Sequence, residues 1–233
     1  MAGTTDVQGL DPRLAAALIL IRAEVHADIG SDHAALPVAL LRSGRVGRCI
    51  VVEKNAAPLE VARTALERVG LPNRVELRLG DGFAPLLVGE VESASLTGMG
   101  GRTLLGILER GADRLPQRLL LQPNDSATGL RAWAVREGYW LTHEELVPGF
   151  WRYPLLRLER RPGPDPAYFG LPLASALAHG PLLLRRRDPL LAEELKSQLR
   201  RLAPLERHGR AEVDAGLAAV REGLAWLEGE AAP

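Results

Sequence analysis

Apolar and polar positions along the chain change period repeatedly, and the changes divide it into short strands and longer helices. Asp11-Pro12 before Arg13 to Leu18 places a capping aspartate and a proline at a helix start. Val25 to Ile29 is a short apolar run that stops in turn chemistry at Gly30, and a helix is expected from about His33 to Arg42, with Pro37 disturbing its first turn. Cys49 to Val52 reads as a second strand and Pro58 to Val69 as the helix after it. Val75 to Leu79 alternates like a strand before Gly80-Asp81-Gly82. Ala94 to Thr97 leads into Gly98-Met99-Gly100-Gly101 and a helix over Thr103 to Glu109. Arg118 to Leu121 closes in Gln122-Pro123-Asn124, before a helix over Ala127 to Glu137. Such alternation with short connections predicts a parallel sheet covered on both faces.

The pattern then changes. Tyr139 to Val147 and Tyr153 to Arg160 have no helix between them, which predicts an antiparallel hairpin at one sheet edge, and Arg161 to Pro166 reads as a linker. Asp188-Pro189 repeats the cap-plus-proline start. Leu191, Leu195, Leu199 and Leu202 then form one stripe at helical spacing, and Val213, Leu217, Val220, Leu224 and Leu227 a second with the coiled-coil rhythm. Two antiparallel helices would bury both stripes. The expected division is an α/β domain over residues 1–160 and a helical domain over residues 161–233.

Length and charge narrow the possibilities. The chain has 233 residues, 29 basic and 29 acidic, which suits one larger domain with a smaller appendage and excludes a uniformly basic nucleic-acid binder. Between Arg152 and Arg210, however, 12 basic residues against 6 acidic leave an excess of +6, including the run Arg185-Arg186-Arg187. That segment is a candidate RNA-binding face, with Arg13 as a second candidate contact. A single cysteine, Cys49, inside an apolar run gives neither a disulfide framework nor a metal cluster and points to a core position in a cytoplasmic protein. No metal is expected. No apolar stretch is long enough to span a bilayer, and nothing in the pattern demands more than a monomer. Trp133, Trp140, Trp151 and Trp226 are expected as core anchors rather than base platforms.

In an open parallel sheet, ligands bind outside the carboxyl ends of the strands, so the residues that end the strands are the site candidates. They are Asp28 to His33, Glu53-Lys54, Gly80-Asp81-Gly82, Gly98 to Gly101 and Gln122-Pro123-Asn124. Glu53 stands where an acidic residue meets ribose hydroxyls, and Asp81 can accept from an exocyclic amine such as that of adenine. A dinucleotide would need several glycines and a helix N-terminus for its pyrophosphate, but the first turn offers Gly30 and places Asp32 where the anion would sit. An acidic entrance suits a sulfonium cation carrying an ammonium group, as in S-adenosyl-L-methionine.

Ala27 to Ala34 (A-D-I-G-S-D-H-A), Gly80 to Gly82, Gly98 to Gly101 (G-M-G-G) and Leu121 to Asn124 (L-Q-P-N) together resemble the TrmK family of tRNA (adenine-N1)-methyltransferases. The resemblance runs from about Leu10 to Arg160 and more loosely through the helical C-terminus. It implies a Rossmann-like class I methyltransferase sheet of seven strands, the last antiparallel, with a small coiled-coil-like helical C-terminal domain. It also implies S-adenosyl-L-methionine as cofactor and methylation of adenine 22 of tRNA. Asp28, Gly30, Ser31, His33, Glu53, Lys54, Gly80, Asp81, Gly82, Gly98 and Met99 then fall to the cofactor. Gly100, Gly101, Gln122, Pro123 and Asn124, with Arg13 and Arg185 to Arg187, fall to the substrate.

Asp32 is the catalytic candidate, either stabilising the charged base or holding the cofactor's ammonium. The chain departs from the family at Ala35, where a tyrosine is common, and at Lys54, a cation beside the ribose carboxylate. Gly98 to Gly101 replaces the Asn/Asp-Pro-Pro-aromatic clamp of many amino-group methyltransferases. The first-domain signals alone also permit a methyltransferase for a protein or small molecule, or a non-catalytic cofactor-binding RNA adaptor.

Overall fold

The computed structural model describes residues 9–30 and 34–229, with Pro72 and His208 as backbone only. The capped start is real: α1 (Pro12–Leu20) has Asp11 as its N-cap, accepting from the Arg13 amide at 2.8 Å. Strands β1 (Ala23–Ile29), β2 (Val46–Glu53), β3 (Val75–Leu79), β4 (Ser93–Met99) and β5 (Arg118–Pro123) alternate with α2 (Ala35–Arg42), α3 (Ala56–Arg68), α4 (Gly101–Arg110) and α5 (Thr128–Arg136). Two further strands follow, β6 (Tyr139–Pro148) and β7 (Arg152–Arg160).

All seven form one sheet in the order β3-β2-β1-β4-β5-β7-β6, with β7 antiparallel to both of its neighbours. The hairpin therefore does not simply extend the edge, because β7 inserts between β5 and β6. Burial explains the choice. Leu155, Leu156 and Leu158 are all fully buried, as a strand covered on both faces requires, whereas β6 alternates buried with part-exposed positions and suits the rim.

Helices α1, α2 and α3 cover one face through a core that includes Leu18, Leu40, Ala62, Cys49, Val51 and Leu155. Helices α4 and α5 cover the other through Leu104, Leu108, Leu130 and Trp133, packed on Ala27, Ile50, Leu96 and Leu156. Cys49 is fully buried, and burial pushes its thiol well above the ordinary range.

Among the described residues the C-terminal region holds four α-helices rather than two: α6 (Leu173–His179), α7 (Pro181–Arg185), α8 (Pro189–Leu202) and α9 (Ala211–Glu228). The two stripes meet as expected, with Leu191, Leu195, Leu217 and Val220 buried. The short helices α6 and α7 show too few turns for a periodic signal. Trp133 is buried and stacked on Tyr139, and the part-buried Trp226 and Trp140 donate their indole N–H groups to the Leu184 and Gly163 carbonyls. Trp151 departs from the expectation of a core anchor, at 60% exposed. No helix among the described residues is long and apolar enough to cross a membrane.

Candidate active site at the carboxyl ends of the strands

β1 delivers Asp28 to the carboxyl edge and then turns at Gly30. The Gly30 φ of +74° lies in the left-handed region, and a Cβ there would sit 3.3 Å from Met99 Cε. Glycine thus lets the chain turn while the neighbouring strand end closes on it. Ser31, Asp32 and His33, the rest of the acidic turn, lie outside the described residues.

Asp28 is 2% exposed and is reached by a file of polar side chains inside the α1 face of the core. Parallel pairing sets His26 opposite Ser93 and Asp28 opposite Ser95. The Ser95 hydroxyl donates to Asp28 Oδ1 at 2.5 Å, His26 Nε2 lies 2.8 Å from Ser95 Oγ, and His26 Nδ1 lies 2.7 Å from Ser93 Oγ. Because Ser95 spends its proton on Asp28, it accepts from His26 Nε2–H, and Nδ1 accepts from Ser93. A neutral imidazole fits this order. Burial, reinforced by the Arg118 charge, lowers His26 to about 3.

His179, between α6 and α9, is similarly lowered to about 4 by burial and then by Arg131. Both folded-state values lie below the ordinary 6.5, so the unfolded chain binds protons that the folded chain does not. This contribution is complete above pH 6.5 and is lost as pH falls towards the folded values. We expect a loss of about 2 kcal/mol per histidine between pH 7 and pH 5. Denaturant titrations at the two pH values check it: His26→Gln should remove about half of the combined effect, and an unchanged pH dependence would refute the assignment.

β2 ends in Glu53, 8% exposed, whose carbonyl accepts from the Gly80 amide at 2.8 Å, so the ends of β2 and β3 are tied together. Asp81 is held between Lys54 Nζ at 3.6 Å and Arg110 Nη2 at 3.3 Å. The ends of β4 and β5 form a second tied pair. The Gly98 amide donates to Gln122 Oε1 at 3.0 Å, and Asn124 Nδ2 donates to the Gly98 carbonyl at 2.6 Å. Arg13 Nη1 donates to Asn124 Oδ1 at 3.0 Å, with the guanidinium paired to Asp11 and set over the Tyr153 ring. Gly101 opens α4 with its amide on Asp125 Oδ1 at 2.6 Å, and a Cβ there would meet the Ser126 carbonyl oxygen at 2.3 Å.

These ends enclose a cleft of about 630 Å³. Of the predicted residues, Asp28, Gly30, Glu53, Gly98 and Met99 line it, as do Arg13, Gln122 and Asn124. Lys54, Gly80, Asp81 and Gly82 lie beside it, outside its lining, and the same is true of Gly100, Gly101 and Pro123. Ala35, where the family commonly has tyrosine, lines it as well, and Leu10, Leu14, Leu36 and Pro58 also line it and were not anticipated, because their contribution is apolar wall. A second cleft, about 650 Å³, opens between the start of α5, the β6–β7 hairpin and helices α8 and α9. It shares Asn124 with the first.

The arginine run lies apart from both clefts. Arg185 donates to the carbonyls of Pro166, Ala167 and Phe169, and Arg186 to the Glu144 carbonyl and Asp188. Two of the three therefore brace the C-terminal region. Arg187 is exposed, with no ion pair among the described residues. Among those residues no cluster of His, Cys, Asp and Glu could hold a metal.

A family model described as TrmK, tRNA (adenine(22)-N(1))-methyltransferase, matches residues 26–226. The chain belongs to the TrmK family. A tRNA (adenine(22)-N(1))-methyltransferase of Bacillus subtilis (strain 168) is 32% identical over 177 residues, covering 75% of this chain and 74% of that one. The crystal structure of B. subtilis TrmK, a tRNA methyltransferase, matches over 100% of both chains with a TM-score of 0.81 and 27% identity. A Streptococcus pneumoniae structure in complex with S-adenosyl-L-methionine is 26% identical, with a TM-score of 0.81 over 92% of this chain and 99% of that one. In this TrmK chain the two tied pairs of strand ends border the cleft, and the buried His26 file lies behind Asp28.

Proposed function

We propose that this chain methylates N1 of adenine 22 in tRNA with S-adenosyl-L-methionine as methyl donor, in the cleft at the carboxyl ends of β1, β2, β4 and β5. The observation that carries this reading is the lining of that cleft by two buried acidic residues, Asp28 and Glu53, at the ends of adjacent strands, inside a TrmK sheet. The residues present fit the cofactor. Glu53 suits vicinal ribose hydroxyls, the acidic end of β1 suits the cationic amino acid part, and Leu10, Leu36 and Met99 supply apolar wall.

When bound, S-adenosyl-L-methionine supplies an electrophilic methyl carbon for in-line displacement by adenine N1. The protein's task is alignment, worth up to about 7 to 11 kcal/mol of the barrier. Asn124 Nδ2 donates to the Gly98 carbonyl and so fixes one wall of the site, and Arg13 locks Asn124 in place. The methylated base becomes cationic, so a carboxylate facing it lowers the barrier. Asp32 is assigned that role. Asp32→Ala is expected to lower turnover by about 10²- to 10³-fold while leaving affinity for S-adenosylhomocysteine within a few fold. Single-turnover kinetics beside calorimetry check this, and loss of cofactor binding would move Asp32 to the cofactor's ammonium.

N1 takes part in pairing or tertiary contacts in folded RNA, so the adenine has to leave its stack to react. The helical region, residues 161–233, is assigned to holding the rest of the tRNA by shape and phosphate charge, with the chain acting as a cytoplasmic monomer. The functional reading is tested by comparing unmodified tRNA with adenine at position 22 against the same tRNA with guanine there. Methyl uptake by the first only is expected, and equal uptake would refute the site assignment.

A further inference from the structure

The hairpin joining β6 and β7 carries two large aromatic side chains into solvent. Phe150 is 89% exposed and Trp151 60% exposed, and their rings meet edge to face with centroids 5.4 Å apart. Exposed adjacent aromatics at a hairpin tip contribute little to folding, so their presence points to a partner. Their place narrows the choice. Trp151 lines the 650 Å³ cleft, and Asn124 lines both that cleft and the methyl-transfer cleft.

On its other side Trp151 joins Phe150, Lys196 and Arg200 around a shallower hollow. Charge along this rim favours an anionic partner. Glu193 is paired with Arg152 and Glu194 with Arg201, whereas Lys196 and Arg200 have no ion pair among the described residues. Flat rings beside unpaired cations suit a polyanion that also presents flat faces.

We propose that Phe150 and Trp151 form a stacking platform for unpaired nucleobases of the tRNA substrate, beside the path by which the target adenine enters. The platform rests on the tRNA methyltransferase reading above and adds a base-stacking contact to it. Lys196 and Arg200 hold the flanking phosphates. Stacking leaves the counterion balance alone, whereas phosphate contacts release counterions, so the two contributions separate on a salt series.

The test measures binding of an unmodified tRNA transcript to the full chain over a range of salt concentrations. Phe150→Ala/Trp151→Ala should raise Kd about tenfold or more without changing the slope of log Kd against log salt. Lys196→Ser/Arg200→Ser should flatten that slope by about two. Phe150→Tyr and Trp151→Phe should bind like the parent, and Trp151→Leu, which keeps apolar bulk without a ring, should not. Affinity for S-adenosylhomocysteine should be the same in all of them.

Unchanged tRNA affinity in the double alanine variant would overturn the platform, as would full binding by Trp151→Leu. A parent that self-associates through this tip, and becomes monomeric in the alanine variant with tRNA affinity intact, would assign the aromatics to a second copy instead. If the parent binds tRNA but transfers no methyl group to it, the functional reading fails, and the binding series still decides the platform.

Discussion

Replacing Glu144 by alanine is expected to cost about 3–5 kcal/mol of folding stability, the largest effect of any single change considered. Glu144, on β6, is fully buried, and its Oε1 accepts from Arg131 Nε of α5 at 2.8 Å. Its Oε2 accepts from the Leu182 amide at the start of α7 at 3.1 Å. Arg131 in turn donates to the Leu177 and Ala178 carbonyls, at 2.9 and 3.0 Å, in the last turn of α6. The pair thus stitches the sheet to the C-terminal helices. Loss of the carboxylate leaves a buried guanidinium without its counter-charge and strands the part-buried Leu182 amide. Chemical denaturation measures it. Pairing Glu144→Leu with Arg131→Met should recover most of the loss, because replacing both charges removes the uncompensated group. A cost below about 1 kcal/mol for Glu144→Ala would show that the junction bears little of the stability.

Glu53→Ala is expected to weaken binding of S-adenosylhomocysteine by roughly 10- to 150-fold, the worth of hydrogen bonds to a charged group at about 1.5–3 kcal/mol. Glu53 closes β2 inside the cleft at 8% exposure, so solvent screens its interactions little. Calorimetry reads the affinity. An analogue lacking the ribose 2′-hydroxyl sharpens the test: it should bind the parent more weakly than the full cofactor does, yet bind the alanine variant about as well as the full cofactor does. Equal discrimination by both proteins would remove Glu53 from the ribose. Affinity for tRNA should stay unchanged, since Glu53 ends β2 and Asn124 follows β5, with β1 and β4 between them.

Local chemistry carried most of what was legible in the chain. Asp11-Pro12 and Asp188-Pro189 marked helix starts because a capping carboxylate and a proline act within a few residues of themselves, and both aspartates accept amides as expected. Asp28, Gly30, Glu53, Gly98 and Asn124 were readable as one cleft because a parallel sheet brings successive strand ends to one edge. What escaped depends on partners far apart in sequence. Insertion of β7 between β5 and β6 is decided by burial on both faces, and only the run Leu155-Leu156 with Leu158 hinted at it.

The Arg13 to Asn124 hydrogen bond joins residues 111 positions apart, and the His26 file depends on β4 lying beside β1. A histidine two residues before Asp28 was the available signal for that file, since alternate residues share a strand face. Arg185 and Arg186 read as a basic patch because composition reports charge but not whether carbonyls already occupy it.

The most direct measurement is nucleoside and fragment mapping of tRNA after incubation of the protein with isotope-labelled S-adenosyl-L-methionine. The expected result is label in N1-methyladenosine, confined to the fragment that carries position 22 and reduced in Glu53→Ala in step with its weaker cofactor binding. Label on another nucleotide, or no transfer to tRNA while the cofactor is bound, would contradict the account.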